Sequence, residues 1–128
     1  MKLLLDTQVF LWLISGDPRL PPAWHAAITS GSNDVALSTA SIWEASIKFQ
    51  NGKLPLPGAA ETYLPAARIR HQIESLPITE ESVLHLSRLP LLHKDPFDRI
   101  IIAQALQDGR ILVTSDQAIR QYAVTCLP

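Results

Sequence analysis

Four carboxylates in this 128-residue chain stand where one segment gives way to the next, and together they could hold a cation. Asp6 follows the apolar run Leu3-Leu4-Leu5, and Asp116 follows Ile111-Leu112-Val113-Thr114; Glu44 and Asp98 fall in early turns of helical segments. Clustered carboxylates repel one another, so a site that keeps them ionised must hold a cation or raise some of their pKa values. Oxygen ligands favour Mg²⁺ or Mn²⁺ over zinc, and a lone cysteine, Cys126, with four histidines at no ligand spacing points the same way. One or two such ions activate a water and stabilise the oxygens of a phosphodiester under in-line attack.

Each acid also has a plain structural reading. Asp6 before Thr7-Gln8-Val9 is an ordinary helix cap, and so is Asp116. Glu44 completes Ser41-Ile42-Trp43-Glu44 at capping-box spacing, with Lys48 four residues on as a surface ion-pair partner. Asp95-Pro96-Phe97-Asp98 reads as an N-cap, a proline at the first helical position and an acid in the first turn. Direction separates the last two aspartates. Asp98 shares a helical stripe with Ile101, Ile102 and Ala105, so its carboxylate ends a core-facing row, where a bare charge is costly. Asp95 has no such anomaly and is assigned to capping. His25, His71, His85 and His93 read as structural or surface residues. Trp12, Trp24 and Trp43 read as core or interface anchors rather than base-stacking platforms.

The elements that must position these acids follow from pattern. Leu3 to Leu5 is a strand buried on both faces, and Thr7 to Ile14 a helix that Asp17-Pro18 breaks. A second helix is expected from Pro21-Pro22 to Ile28, then a strand at Val35-Ala36-Leu37 and a helix to about Gln50, ended by Asn51-Gly52. Ala59 to His71 is helical with Pro65 kinking or dividing it, Ile73 to Ile78 a short strand, and Thr79 a helix start. A helix over Pro96 to Gln107 feeds the strand Arg110 to Thr114, followed by a short helix to Tyr122 and an edge strand around Val124 to Leu127. Strands alternating with helices predict a mainly parallel sheet covered on both faces, whose strand carboxyl ends share one rim with the helix starts. The four acids are expected to converge there.

Length and 47% hydrophobic composition suit one α/β domain over residues 1–128. No apolar run approaches the roughly 20 residues of a membrane span, and Asp6 interrupts the start too early for an export signal, so a cytoplasmic protein is expected. A net charge of −1 gives no global sign of nucleic-acid binding, although bound cations would supply positive charge locally. A phosphotransferase built on Asp6 would need an acid at position 8, where Gln8 stands, and there is no glycine-rich phosphate loop. The N-terminal concentration of Phe10, Leu11, Trp12, Leu13 and Trp24 reads either as a helix face buried against the sheet or as more than one small core covers, an interface.

Taken in order, Leu3-Leu4-Leu5-Asp6-Thr7, Ser38-Thr39-Ala40-Ser41-Ile42-Trp43-Glu44, His93-Lys94-Asp95-Pro96-Phe97-Asp98-Arg99 and Leu112-Val113-Thr114-Ser115-Asp116 resemble the motifs of PIN-domain proteins, specifically the VapC-like group. The resemblance spans nearly the whole chain and implies a three-layer α/β/α fold around a mainly parallel sheet. It implies a Mg²⁺- or Mn²⁺-dependent ribonuclease acting as a toxin, with Asp6, Glu44, Asp98 and Asp116 as catalytic metal ligands. Thr114, Ser115 and Arg99 would position water or substrate. It also implies an RNA substrate, a small cognate antitoxin and a homodimer. Gln8 departs from the histidine that often follows Asp-Thr in such proteins. Arg99, Lys48, Lys94 and Arg120 are the nearest candidates for phosphate contacts, and an arginine beside an acidic quartet reads equally as an orienting ion-pair partner. The rival reading is a catalytically silent PIN module that binds protein or RNA.

Overall fold

A computed structural model describes residues 1–128. The elements run β1 Lys2–Leu5, α1 Thr7–Ser15, α2 Pro22–Thr29, β2 Asp34–Ser38, α3 Thr39–Gln50, α4 Ala60–Arg70, β3 Glu74–Leu76, α5 Glu80–His85, α6 Pro96–Gln107, β4 Ile111–Val113 and α7 Gln117–Arg120; a single 3₁₀ turn, Leu86–Arg88, follows α5. The sheet order is β3-β2-β1-β4, and every pairing is parallel.

β1 is central, and its three leucines are fully buried because helices cover both faces. Alternation divides them. Leu3 and Leu5, with Val35, Leu37 and Val113, face a layer formed by Phe10, Trp24 and Leu64. Leu4, with Ala36 and Leu112, faces Ile101, Ile102 and Ile119 on the other side. This is the three-layer α/β/α arrangement that the strand and helix pattern predicts. Each fully buried leucine contributes roughly 1.5–3 kcal/mol relative to an exposed one. Register then aligns the chain exits: Leu5 pairs with Leu37 on one side and Val113 on the other. The residues after β1, β2 and β4 therefore emerge side by side.

Several details differ from expectation. α1 ends at Gly16 before reaching Asp17-Pro18; Gly16 takes the left-handed conformation, φ 64°, and its N–H caps the carbonyls of Trp12 and Leu13. α4 runs through Pro65 undivided, since the missing hydrogen bond would have gone to Glu61, whose exposed turn water can serve. β3 is limited to Glu74–Leu76 because Pro77 donates nothing to a ladder. The C-terminal edge strand shrinks to one parallel bridge, Leu112 with Cys126. The N-terminal apolar residues mostly enter the core: Phe10, Leu11, Leu13 and Trp24 are buried, leaving only Trp12 partly exposed. No helix is long and apolar enough to cross a membrane.

Candidate metal centre

The rim created by this register carries the acids. Asp6 leaves β1 in extended conformation and caps α1, its Oδ1 accepting the Val9 N–H at 2.8 Å. Its Oδ2 accepts the hydroxyl of Thr114, the residue after β4. Cap and site thus use different oxygens of one carboxylate. Asp6 is 5% exposed, and burial raises its carboxyl pKa to about 6, with the Thr114 and Val9 hydrogen bonds opposing the rise and the charges of Asp116 and Glu44 adding to it. Thr114 is fully buried; its one proton goes to Asp6, and its oxygen accepts the Asp116 N–H at 3.0 Å.

Asp116 repeats the pattern of Asp6. Oδ1 caps α7 through the Ala118 N–H at 2.8 Å, while Oδ2 lies 3.3 Å from His93 Nε2. Asp98 sits in the first turn of α6, whose cap is Asp95, accepting from Phe97 N at 2.9 Å and more weakly from Asp98 N. Burial first, then the negative charges of Asp95, Glu44 and Asp116, raise the Asp98 carboxyl to about 7, while His93 draws it down. Glu44 is buried on α3, with Oε2 3.3 Å from Lys48 Nζ. Its other oxygen, Oε1, is buried without any partner. The capping-box reading of Glu44 does not hold: α3 begins three residues earlier than Ser41 implies, capped by Ser38, and Ser41 instead accepts the Thr7 hydroxyl at 2.9 Å.

Asp6, Glu44, Asp98 and Asp116 share one cleft of about 350 Å³ with Thr7, Gln8, Lys48, Asp95 and Ser115, and no apolar side chain lines it. Ser115 is exposed at its edge. Carboxylates and hydroxyls are hard donors suited to Mg²⁺ or Mn²⁺. The orphaned Glu44 oxygen and two carboxyls driven upward by crowding and burial are what a missing positive charge would relieve.

Two assignments change. His93, read from sequence as structural or surface, lies inside the acidic cluster: Nε2 is 2.9 Å from Asp98 Oδ2. Donor atoms of His93, Asp98 and Asp116 fall within 4.8 Å of one another. Nδ1 accepts the Asp95 N–H at 3.3 Å, which places the neutral ring's proton on Nε2, facing the acids. A loop histidine two residues before a capping aspartate is the available signal. Arg99 moves the other way. One residue from Asp98 on a helix is about 100° around it, and the guanidinium instead binds the carbonyls of Pro90 at 2.9 Å and Leu86 at 3.2 Å and the Tyr122 hydroxyl at 3.1 Å. That hydroxyl accepts the His93 N–H at 2.9 Å, so Arg99 and Tyr122 hold the loop that delivers His93. Arg120 is likewise occupied, on the carbonyls of Thr114 and Leu127. Lys94 is exposed and makes no ion pair.

A search of curated proteins by sequence found no match. Among solved structures, VapBC2 from Rickettsia felis bound to a DNA fragment from its promoter is similar with TM-score 0.73 at 16% identity, covering 100% of this chain and 98% of that one. VapBC-1 from nontypeable Haemophilus influenzae gives TM-score 0.65 at 19% identity, over 99% and 97% of the two chains. A toxin–antitoxin complex from Klebsiella pneumoniae gives 0.59 at 20%, over 89% and 86%. The family described as PIN domain matches residues 3–124, and with that span the chain belongs to the PIN domain family.

Proposed function

We propose that this protein is a divalent-metal-dependent endoribonuclease that acts as the toxin of a toxin–antitoxin pair. The observation that carries the reading is the convergence of Asp6, Glu44, Asp98 and Asp116 in one polar cleft, with a buried Glu44 oxygen lacking any partner. Asp6, Asp98, Asp116 and Glu44 would hold Mg²⁺ or Mn²⁺, which supplies water activation and neutralises phosphodiester charge when bound. Thr114 holds Asp6 by its hydroxyl and Asp116 by its oxygen, tying the two caps together. His93, its Nε2 proton directed at Asp98 and Asp116, holds that pair together. Ser115 at the cleft edge is free to position water or phosphate.

An antitoxin partner is supported by the company the fold keeps, since a similar structure is a toxin–antitoxin complex. It is supported too by a groove of about 510 Å³ along α1, lined by Leu11, Trp12, Leu54 and Leu56 together with polar Asp17, Arg19 and Lys53, which meets the acidic cleft at Gln8 and Lys48. A short peptide segment seated there reaches the carboxylates. A homodimer belongs to the same proposal, and its apolar contribution is drawn from the exposed Leu84, Leu91 and Leu92. The test is cleavage of RNA by the purified chain with Mg²⁺ or Mn²⁺, abolished by EDTA and by Asp116→Asn. Cleavage that persists in excess EDTA overturns it.

A further inference from the structure

An aromatic pair, Trp43 exposed and Phe97 partly buried, lies beside the depression that adjoins the acidic cleft, Phe97 lining it and Trp43 resting on Phe97. Trp43 immediately precedes Glu44 on α3 and is 60% exposed, an unusual position for so large an apolar group. Phe97 immediately precedes Asp98 on α6. The two rings meet edge to face, with centroids 5.0 Å apart and planes at 84°. That contact fixes the indole in orientation while most of it stays open to solvent.

The surroundings bring two lysines to the margin of the cleft. Trp43 and Ile47 form one row on α3, and Glu44 and Lys48 the next. A shallow depression of about 480 Å³ joins Glu44, Ile47 and Lys48 to Lys94, Asp95, Pro96 and Phe97, so its two lysines stand beside two carboxylates. Lys94 is exposed without an ion pair, and Lys48 is half exposed beside Glu44. An aromatic face with flanking lysines, opening onto an acidic centre, suits a nucleic-acid strand better than a protein partner. The base stacks, the lysines meet backbone phosphates, and the next phosphate lies over the carboxylates. Stacking on Trp43 requires an unpaired base, because both faces of a paired base are covered in a duplex.

We infer that Trp43, braced by Phe97, is the base-stacking platform of this site, with Lys94 as its phosphate contact. The inference rests on the nuclease reading for the identity of the ligand, and its test separates the two. Binding is read in EDTA by fluorescence anisotropy of a fluorescein-labelled, unstructured oligoribonucleotide, and cleavage is read separately with Mg²⁺ or Mn²⁺. Trp43→Ala is expected to weaken binding about 5- to 150-fold, the range for loss of one stacked base, while Trp43→Phe stays close to native. Lys94→Ala should lower the slope of log affinity against log salt by about 0.7, and annealing a complementary strand should reduce binding to the nonspecific level. Equal affinity of the native and Trp43→Ala proteins, or no measurable binding by the native one, overturns the inference. So does a change of mass in light scattering on Trp43→Ala, which would make this face a protein interface. Oligonucleotide that binds through Trp43 but is never cut upholds the platform and overturns the nuclease.

Discussion

Replacing Asp6 by Asn separates the electrical cost of the cleft from its shape. Asn keeps an oxygen for the Val9 N–H and is itself a good N-cap, so α1 should start unchanged. What disappears is a carboxyl whose pKa burial lifts from 3.8 to about 6. The folded protein then binds the proton more tightly than the unfolded chain, so ionisation opposes folding. The penalty is absent below the unfolded value, grows between pH 4 and 6, and is complete above that. At about 1.4 kcal/mol per unit, it reaches about 3 kcal/mol at pH 7.5 but only about 0.5 kcal/mol at pH 4. Asn stands in for the protonated acid. In EDTA the variant should therefore be about 2–3 kcal/mol more stable than the native protein at pH 7.5, and within about 1 kcal/mol of it at pH 4. Mg²⁺ at a hundred times its dissociation constant should restore about 2.7 kcal/mol to the native protein and little to the variant, closing the gap. Urea unfolding followed by circular dichroism measures all of these. A variant less stable than native at pH 7.5 in EDTA, or an advantage unchanged between the two pH values, refutes the reasoning.

Asp98→Asn and Asp116→Asn should each lower RNA cleavage by at least about 100-fold, whereas Asp95→Asn, which lines the cleft but keeps its capping oxygen for α6, should remain within a few-fold of native; comparable losses at Asp95 and Asp98 in initial-rate assays would refute this division. Thr114→Val removes the donor to Asp6 and should weaken metal binding roughly 10- to 100-fold in calorimetric titration with the fold retained. Because Asp6 and Asp98 are raised to about 6 and about 7, metal binding near pH 6 must displace protons from them. Calorimetry in two buffers of different ionisation enthalpy should show this release fading, and affinity rising, as pH increases through 7.

Much of the rim was readable from residue types alone. Short apolar runs ending in Asp6 and Asp116 gave parallel strands whose exits align, and the stripe of Asp98, Ile101, Ile102 and Ala105 gave that acid its inward direction. Direction was harder to read elsewhere. Glu44 matched a capping box because Ser41 stood at the right spacing, but Ser38 and Thr39 compete for the same helix start, and β2 ends at Ser38. His93 gave no periodic signal, since its place depends on a loop fixed from afar by Tyr122 and Arg99. Arg99 was placed near the acids by sequence adjacency, which a helix turns into separation. Trp43 resembled a core residue by type, and only burial distinguishes it from Trp24.

Asp6 and Asp116 each give one oxygen to a helix and keep the other for the cleft. Structure and chemistry are thereby stored in separate atoms of a single side chain. Exchange of one oxygen for nitrogen, a single-nucleotide change in an aspartate codon, erases the chemistry and leaves the architecture standing. On the proposed function, the gene is one mutational step from a folded, inactive variant that still presents the groove along α1. Inactive relatives that keep the fold should then carry asparagine at these positions more often than alanine, which has no oxygen for the cap.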